Sequence, residues 1–160
     1  PNCYPEYHNL ANKLIGKYDY TVSAVCNINR NYSKFINEFK TSLKNKNIIW
    51  VGGDDQNIEN LAHVLDLKIK ESFLFSKKNA WEKHKKIQDS LSEIEKDDIV
   101  LFSLGPTGRI LSQRLFNSHP HNTFIDIGSL LDPITRNVWH NYHKGWENGF
   151  NLTRRCVDCN

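Results

Sequence analysis

Short, uninterrupted apolar runs, each followed by a stretch with helical spacing, constrain this chain more than any other feature. The clearest run is Asp98-Ile-Val-Leu-Phe-Ser103, and Asn47-Ile-Ile-Trp-Val51, Ser72-Phe-Leu-Phe75 and Asn122-Thr-Phe-Ile-Asp-Ile127 repeat the pattern. Tyr20-Thr-Val-Ser-Ala-Val-Cys26 has similar strand composition. A strand with one wet face alternates apolar and polar residues, whereas a continuous apolar run belongs to a strand buried on both faces. Between the runs, helical spacing appears in residues 4–17 through Leu10 and Leu14, and in residues 32–44 through Phe35, Ile36, Phe39 and Leu43. It returns with Ile58, Leu61, Ala62 and Leu65, then with Ile87, Leu91 and Ile94 behind a capping Asn79, and again over residues 107–116. Strands alternating with helices of this length predict an α/β fold: a Rossmann-like, doubly wound, mostly parallel sheet with helices on both faces.

The chain has 160 residues, which predicts a single domain over residues 1–160. A hydrophobic fraction of 39% and an aromatic fraction of 11% supply a core and exclude disorder of the whole chain. No run approaches the ~20 apolar residues of a membrane span, and no basic start precedes an apolar run as in a signal peptide. The expectation is a cytoplasmic protein with no transmembrane segment. A net charge of +3, spread along the chain, suits a small anionic ligand and does not argue for nucleic acid. A chain with no methionine that begins at Pro1 reads as a domain excised from a longer protein, with other domains as its partners. Four cysteines are too few for a disulfide scaffold; Cys156 and Cys159 form a CxxC that needs further ligands before it binds metal. The sequons at Asn31 and Asn151 carry little weight without a secretory signal.

In a doubly wound sheet, ligands sit beyond the carboxyl ends of the strands, so the loops that follow the strands hold the candidate site. Ser103-Leu-Gly-Pro-Thr107 joins the strongest strand to its helix. Gly105 permits close backbone approach, Pro106 suits a first helical turn, and Thr107 offers a hydroxyl beside amides that attract phosphate. Arg109 adds charge, although an ordinary strand-to-helix turn uses the same residue types. The turn matches neither a Walker loop nor GxGxxG. Gly52 and Gly53 after an earlier strand allow close approach. Asp54 or Asp55 could accept from ribose hydroxyls, or cap the helix that begins near Gln56. Ser76, Lys77 and Asn79 offer hydroxyl, ammonium and amide groups to a diphosphate, or form solvated surface. Asp126 ends the last strand, where a carboxylate meets the ligand rim as base, sugar acceptor or metal ligand, and Asp132-Pro133 follows. Arg136, His140, Tyr142, His143 and Lys144 gather further donors. Any metal here would fall to Asp126 or Asp132.

The stretch from Lys78-Asn-Ala80 through Ser103-Leu-Gly-Pro-Thr107 to Phe124-Ile-Asp-Ile-Gly128 resembles the C-terminal half of glycosyltransferases with the GT-D fold. The resemblance covers roughly residues 51–128, and the pairing of Leu-Gly-Pro-Thr with Ile-Asp-Ile-Gly is its specific part. It implies a Rossmann-like domain that transfers a sugar from a nucleoside-diphosphate sugar to a glycan or protein acceptor. Carried over by position, Gly105, Pro106 and Thr107 fall on the family's turn, and Asp126 and Gly128 on its strand end. The family resembled here uses an Asp-x-Glu motif with Mn²⁺ or Mg²⁺; this chain contains neither Asp-x-Glu nor Asp-x-Asp.

The resulting expectation is a glycosyltransferase domain. Asp126 and Asp132 are the candidate catalytic carboxylates. Gly53, Asp54, Ser76, Lys77, Asn79, Ser103, Gly105, Pro106, Thr107, Arg136 and His143 are the candidate nucleotide-binding residues. Two alternatives stand beside it: a Rossmann methyltransferase using the Gly-Gly-Asp loop, and a non-catalytic nucleotide-sugar-binding domain lacking the acidic pair.

Overall fold

The computed structural model describes residues 32–76 and 78–138. The chain divides into one unit of residues 38–138 and another made of residues 1–37 with 139–160. The second lies almost wholly outside the described residues, together with the helix expected over 4–17, the strand over 20–26 and the CxxC.

The first element, α1 (Tyr32–Leu43), ends on the buried Leu43. Four strands follow: β1 (Ile48–Gly53), β2 (Ile69–Phe75), β3 (Ile99–Phe102) and β4 (Thr123–Asp126). They form one sheet in the order β2-β1-β3-β4, and every pairing is parallel. Helix α2 (Ile58–Leu65) connects β1 to β2, a 3₁₀ turn (Ala80–Lys83) and α3 (His84–Ser90) connect β2 to β3, and α4 (Pro106–Ser118) connects β3 to β4. A short α5 (Asp132–Thr135) follows β4. The chain leaves β1 toward one edge and β3 toward the other. With right-handed crossovers, α2 therefore lies on the face opposite α3 and α4.

Burial accounts for the continuous apolar runs. Every residue of β1 and of β3 is buried, as central strands covered on both faces require. Ile49 and Val51 pair in register with Val100 and Phe102 and pack with Ile87 and Leu91 near α3 and Leu111 and Leu115 of α4. Ile48, Trp50, Ile99 and Leu101 point the other way and are also buried. Burying side chains of this size contributes about 1.5–3 kcal/mol each before chain entropy is set against it.

The local signals worked unevenly. β2 begins at Ile69, earlier than expected, because Lys70, Glu71 and Ser72 sit on an edge strand whose residues are mostly exposed. Neither Asp54 nor Asp55 caps α2. The cap is Asn57, in extended geometry, whose side chain accepts from the Asn60 amide at 2.9 Å. Asn79 does not cap with its side chain either: it is left-handed, with φ 55°, and opens the 3₁₀ turn instead of an α-helix. At the other end of the sheet Asp98 is buried and accepts from Lys70 Nζ at 2.9 Å and from the Glu95 amide at 3.1 Å. That carboxylate, ahead of Glu95, holds the Lys70 ammonium above its ordinary pKa.

Candidate functional site

Because all four strands are parallel, the loops after them share one rim. A cleft of about 450 Å³ opens there, lined by Ala80 after β2, by Ser103, Leu104, Gly105, Pro106 and Arg109 around the β3–α4 turn, and by Gly128, Ser129 and Arg136 beyond β4. Gly105 has φ 56° and ψ −141°, a conformation open essentially to glycine alone, and it delivers the chain into α4 with Pro106 in the first turn. No side chain caps that helix, and Gly105 and Pro106 at its positive end line the cleft. Gly108 lets the first turn of α4 sit close against β3: a Cβ there would lie 2.9 Å from Phe102 Cβ.

Two arginines line the cleft, and they are held very differently. Arg109 is mostly exposed and donates from Nε to Asp126 Oδ2 at 2.7 Å. The Arg136 side chain is only 8% exposed; its Nε donates to Asp55 Oδ1 at 3.0 Å and its Nη1 to Asp132 Oδ1. Asp132 is itself buried at the start of α5, and α5 is fastened to α2 through Asn57 N to Thr135 O at 2.7 Å and Asn60 Nδ2 to Ile134 O at 2.7 Å. A buried arginine carrying carboxylates on two of its nitrogens is oriented before any ligand arrives.

Behind the cleft runs a buried hydrogen-bond chain centred on Gln56, a residue that local pattern did not single out. Its Oε1 accepts from Trp50 Nε1 at 3.0 Å and from the Gly53 amide at 2.8 Å. Its Nε2 donates to Ser103 Oγ at 2.8 Å, and Ser103 Oγ donates to Gly128 O at 2.7 Å. Gly52 makes room for this side chain, since a Cβ there would fall 1.9 Å from Gln56 Oε1. One signal was available: a tryptophan inside a buried strand needs an acceptor for its indole N–H. Gln56 lies six positions from Trp50.

Of the candidate nucleotide-binding residues, the cleft brings together Ser103, Gly105, Pro106 and Arg136, and it also takes in Arg109 and Gly128. Gly53 has its amide engaged by Gln56, and Asp54 is exposed with its amide on Phe75 O at 3.1 Å. Thr107 is buried; neither it nor Ser76 or Asn79 lines the cleft. Asp126 and Asp132 sit beside it, each engaged by an arginine that does line it. Lys77 and His143 lie outside the described residues.

The fit to a divalent cation can be judged from the donors. Among the described residues, no three or more His, Cys, Asp or Glu side chains gather to hold a metal ion. Asp126 and Asp132, each in an ion pair with an arginine, do not form such a set. Among the same residues no helix is long and apolar enough to cross a membrane.

No curated protein and no solved structure matches the chain. A family model described as "Glycosyltransferase GT-D fold" matches residues 5–135, far more than half of the sequence. The all-parallel sheet agrees with that match, and the chain belongs to the glycosyltransferase family of the GT-D fold.

Proposed function

We propose that this domain transfers a sugar from a nucleoside-diphosphate sugar to a hydroxyl of a glycan or protein, and that the diphosphate occupies the rim cleft. The observation that carries this reading is one wall arrangement: the uncapped end of α4 at Gly105 and Pro106, with Arg109 and Arg136 on the same cleft. Transfer requires that the charge developing on the leaving diphosphate be neutralised by groups already in place. The positive end of the α4 dipole and two guanidinium groups are such groups. Arg136, pre-oriented by Asp55 and Asp132, supplies the fixed charge, while the exposed Arg109 closes on the ligand from the rim.

In this reading Asp126 is the base that takes the acceptor proton. It lies at the carboxyl end of β4, partly exposed, and becomes available as Arg109 turns from it toward the phosphate. Asp132 orients Arg136. Any contribution of Mn²⁺ or Mg²⁺ is read from the Mn²⁺ arm of the test below, and a cytoplasmic setting belongs to the same proposal.

The test is a thermal-shift panel of uridine and guanosine diphosphates, their sugars, NAD and adenosylmethionine, each with and without Mn²⁺. A ligand at ~100 times its dissociation constant adds roughly 2.7 kcal/mol of stability. Stabilisation by a nucleotide sugar, with slow hydrolysis of the donor, is the expected result. Stabilisation by adenosylmethionine alone, or no stabilisation by any nucleoside diphosphate, would refute it.

A further inference from the structure

We propose that Gln56 is a positioning residue for the cleft: a buried relay that fixes the wall after β4 relative to the mouth of α4. The relay has only one possible direction. The Trp50 indole and the Gly53 amide are donors only, so they must meet the carbonyl oxygen of Gln56. The amide nitrogen of Gln56 then faces Ser103 Oγ, and the Ser103 proton is left for Gly128 O, which only accepts. One side chain thus joins the carboxyl ends of β1 and β3, and through Ser103 it reaches the chain beyond β4. Ser103 and Gly128 both line the cleft, whereas Gln56 and Trp50 are buried behind it. Hydrogen bonds of this kind are strong where water is excluded, and each polarises the next.

The inference rests on the cleft being the diphosphate site only for its effect on binding; its geometric content stands without any ligand. Gln56→Glu keeps the shape and both acceptor bonds but, when ionised, has no proton for Ser103. Burial raises the pKa of the introduced carboxyl while the Trp50 and Gly53 N–H donors lower it, and below that pKa its O–H can replace the lost amide donor. The relay therefore returns in acid.

The experiment follows the amide resonances of Ser103, Gly128 and Ser129 in ¹⁵N-labelled protein, and titrates uridine diphosphate, with wild type taken through the same pH range. At about pH 8 the variant's three amides should be displaced and its diphosphate affinity lowered about tenfold relative to wild type, the scale of one lost buried hydrogen bond. Once the pH is low enough to protonate the carboxyl, both differences should close. Ser103→Ala, which adds no buried charge, should displace the Gly128 and Ser129 amides at high and low pH, with no recovery in acid. Amides that stay in place in Ser103→Ala, or in Gln56→Glu at about pH 8, would overturn the assignment. If wild type binds no nucleoside diphosphate, the proposed function fails, and the ligand-free amide shifts still decide the role of Gln56.

Discussion

Replacing Gly108 by alanine should destabilise the protein, although the same change in an ordinary helix does the opposite. In an exposed helix, alanine gains about 1 kcal/mol over glycine from propensity and chain entropy. At Gly108 the added Cβ would stand 2.9 Å from Phe102 Cβ and 3.6 Å from Asp126 Oδ1. The first distance is roughly half an ångström inside the closest ordinary carbon–carbon contact. Relief by a side-chain rotation is closed, because the neighbour is the Cβ of a fully buried residue in β3. The start of α4 must therefore back away from the sheet. Overpacking of this kind costs about 1–3 kcal/mol, which exceeds the propensity gain, so the expected net loss is about 1 kcal/mol. The retreat also carries Gly105, Pro106 and Arg109 outward, and diphosphate binding should weaken with it. Urea unfolding reads the first effect as a lower midpoint at unchanged m, and titration of uridine diphosphate reads the second. A Gly108→Ala protein as stable as wild type or more so would show that α4 does not press on β3 as described.

The two cleft arginines should separate in their consequences. Arg109→Ala should leave stability within about 1 kcal/mol, since the pair with Asp126 is exposed on the arginine side, yet weaken uridine diphosphate binding. Arg136→Lys should lower both, with a stability loss of about 2 kcal/mol, because one ammonium cannot serve Asp55 and the buried Asp132 in the planar fork geometry. Denaturation and titration of the same two variants check the contrast. Asn57→Ala should cost about 1 kcal/mol in urea unfolding through loss of the α2 cap alone. The raised pKa of Lys70 gives an alkaline dependence. Its contribution is complete below the ordinary lysine value of 10.5 and is lost as pH climbs through the higher folded-state value. Stability measured on either side of that range should fall less in Lys70→Met than in wild type.

Among the described residues, local pattern carried the four strands and most of the helices, because the burial of each element is written into its own residues. Ile-Val-Leu-Phe at β3 is apolar on both faces, and only the interior of a covered parallel sheet accepts such a run. Parallel strands in turn put every strand-to-helix loop on one rim, so the side of the molecule that holds the cleft followed from the sequence. The Gly-Pro turn that opens α4 was legible for the same reason: its backbone demands are met within a few residues. The capping of α2 was not, since Asp54, Asp55 and Asn57 are equivalent by residue type and only the actual turn after β1 selects Asn57.

What the tertiary structure alone decided is which distant side chains meet. Gln56 and Ser103 lie 47 positions apart, and Asp55 and Arg136 lie 81 apart. Their pairing depends on β1 and β3 being neighbours and on α5 folding back against α2, which no periodicity encodes. A polar residue buried by such an arrangement looks, in its own neighbourhood, like any other loop residue. Its role appears only once the sheet order has placed a donor and an acceptor from other strands around it.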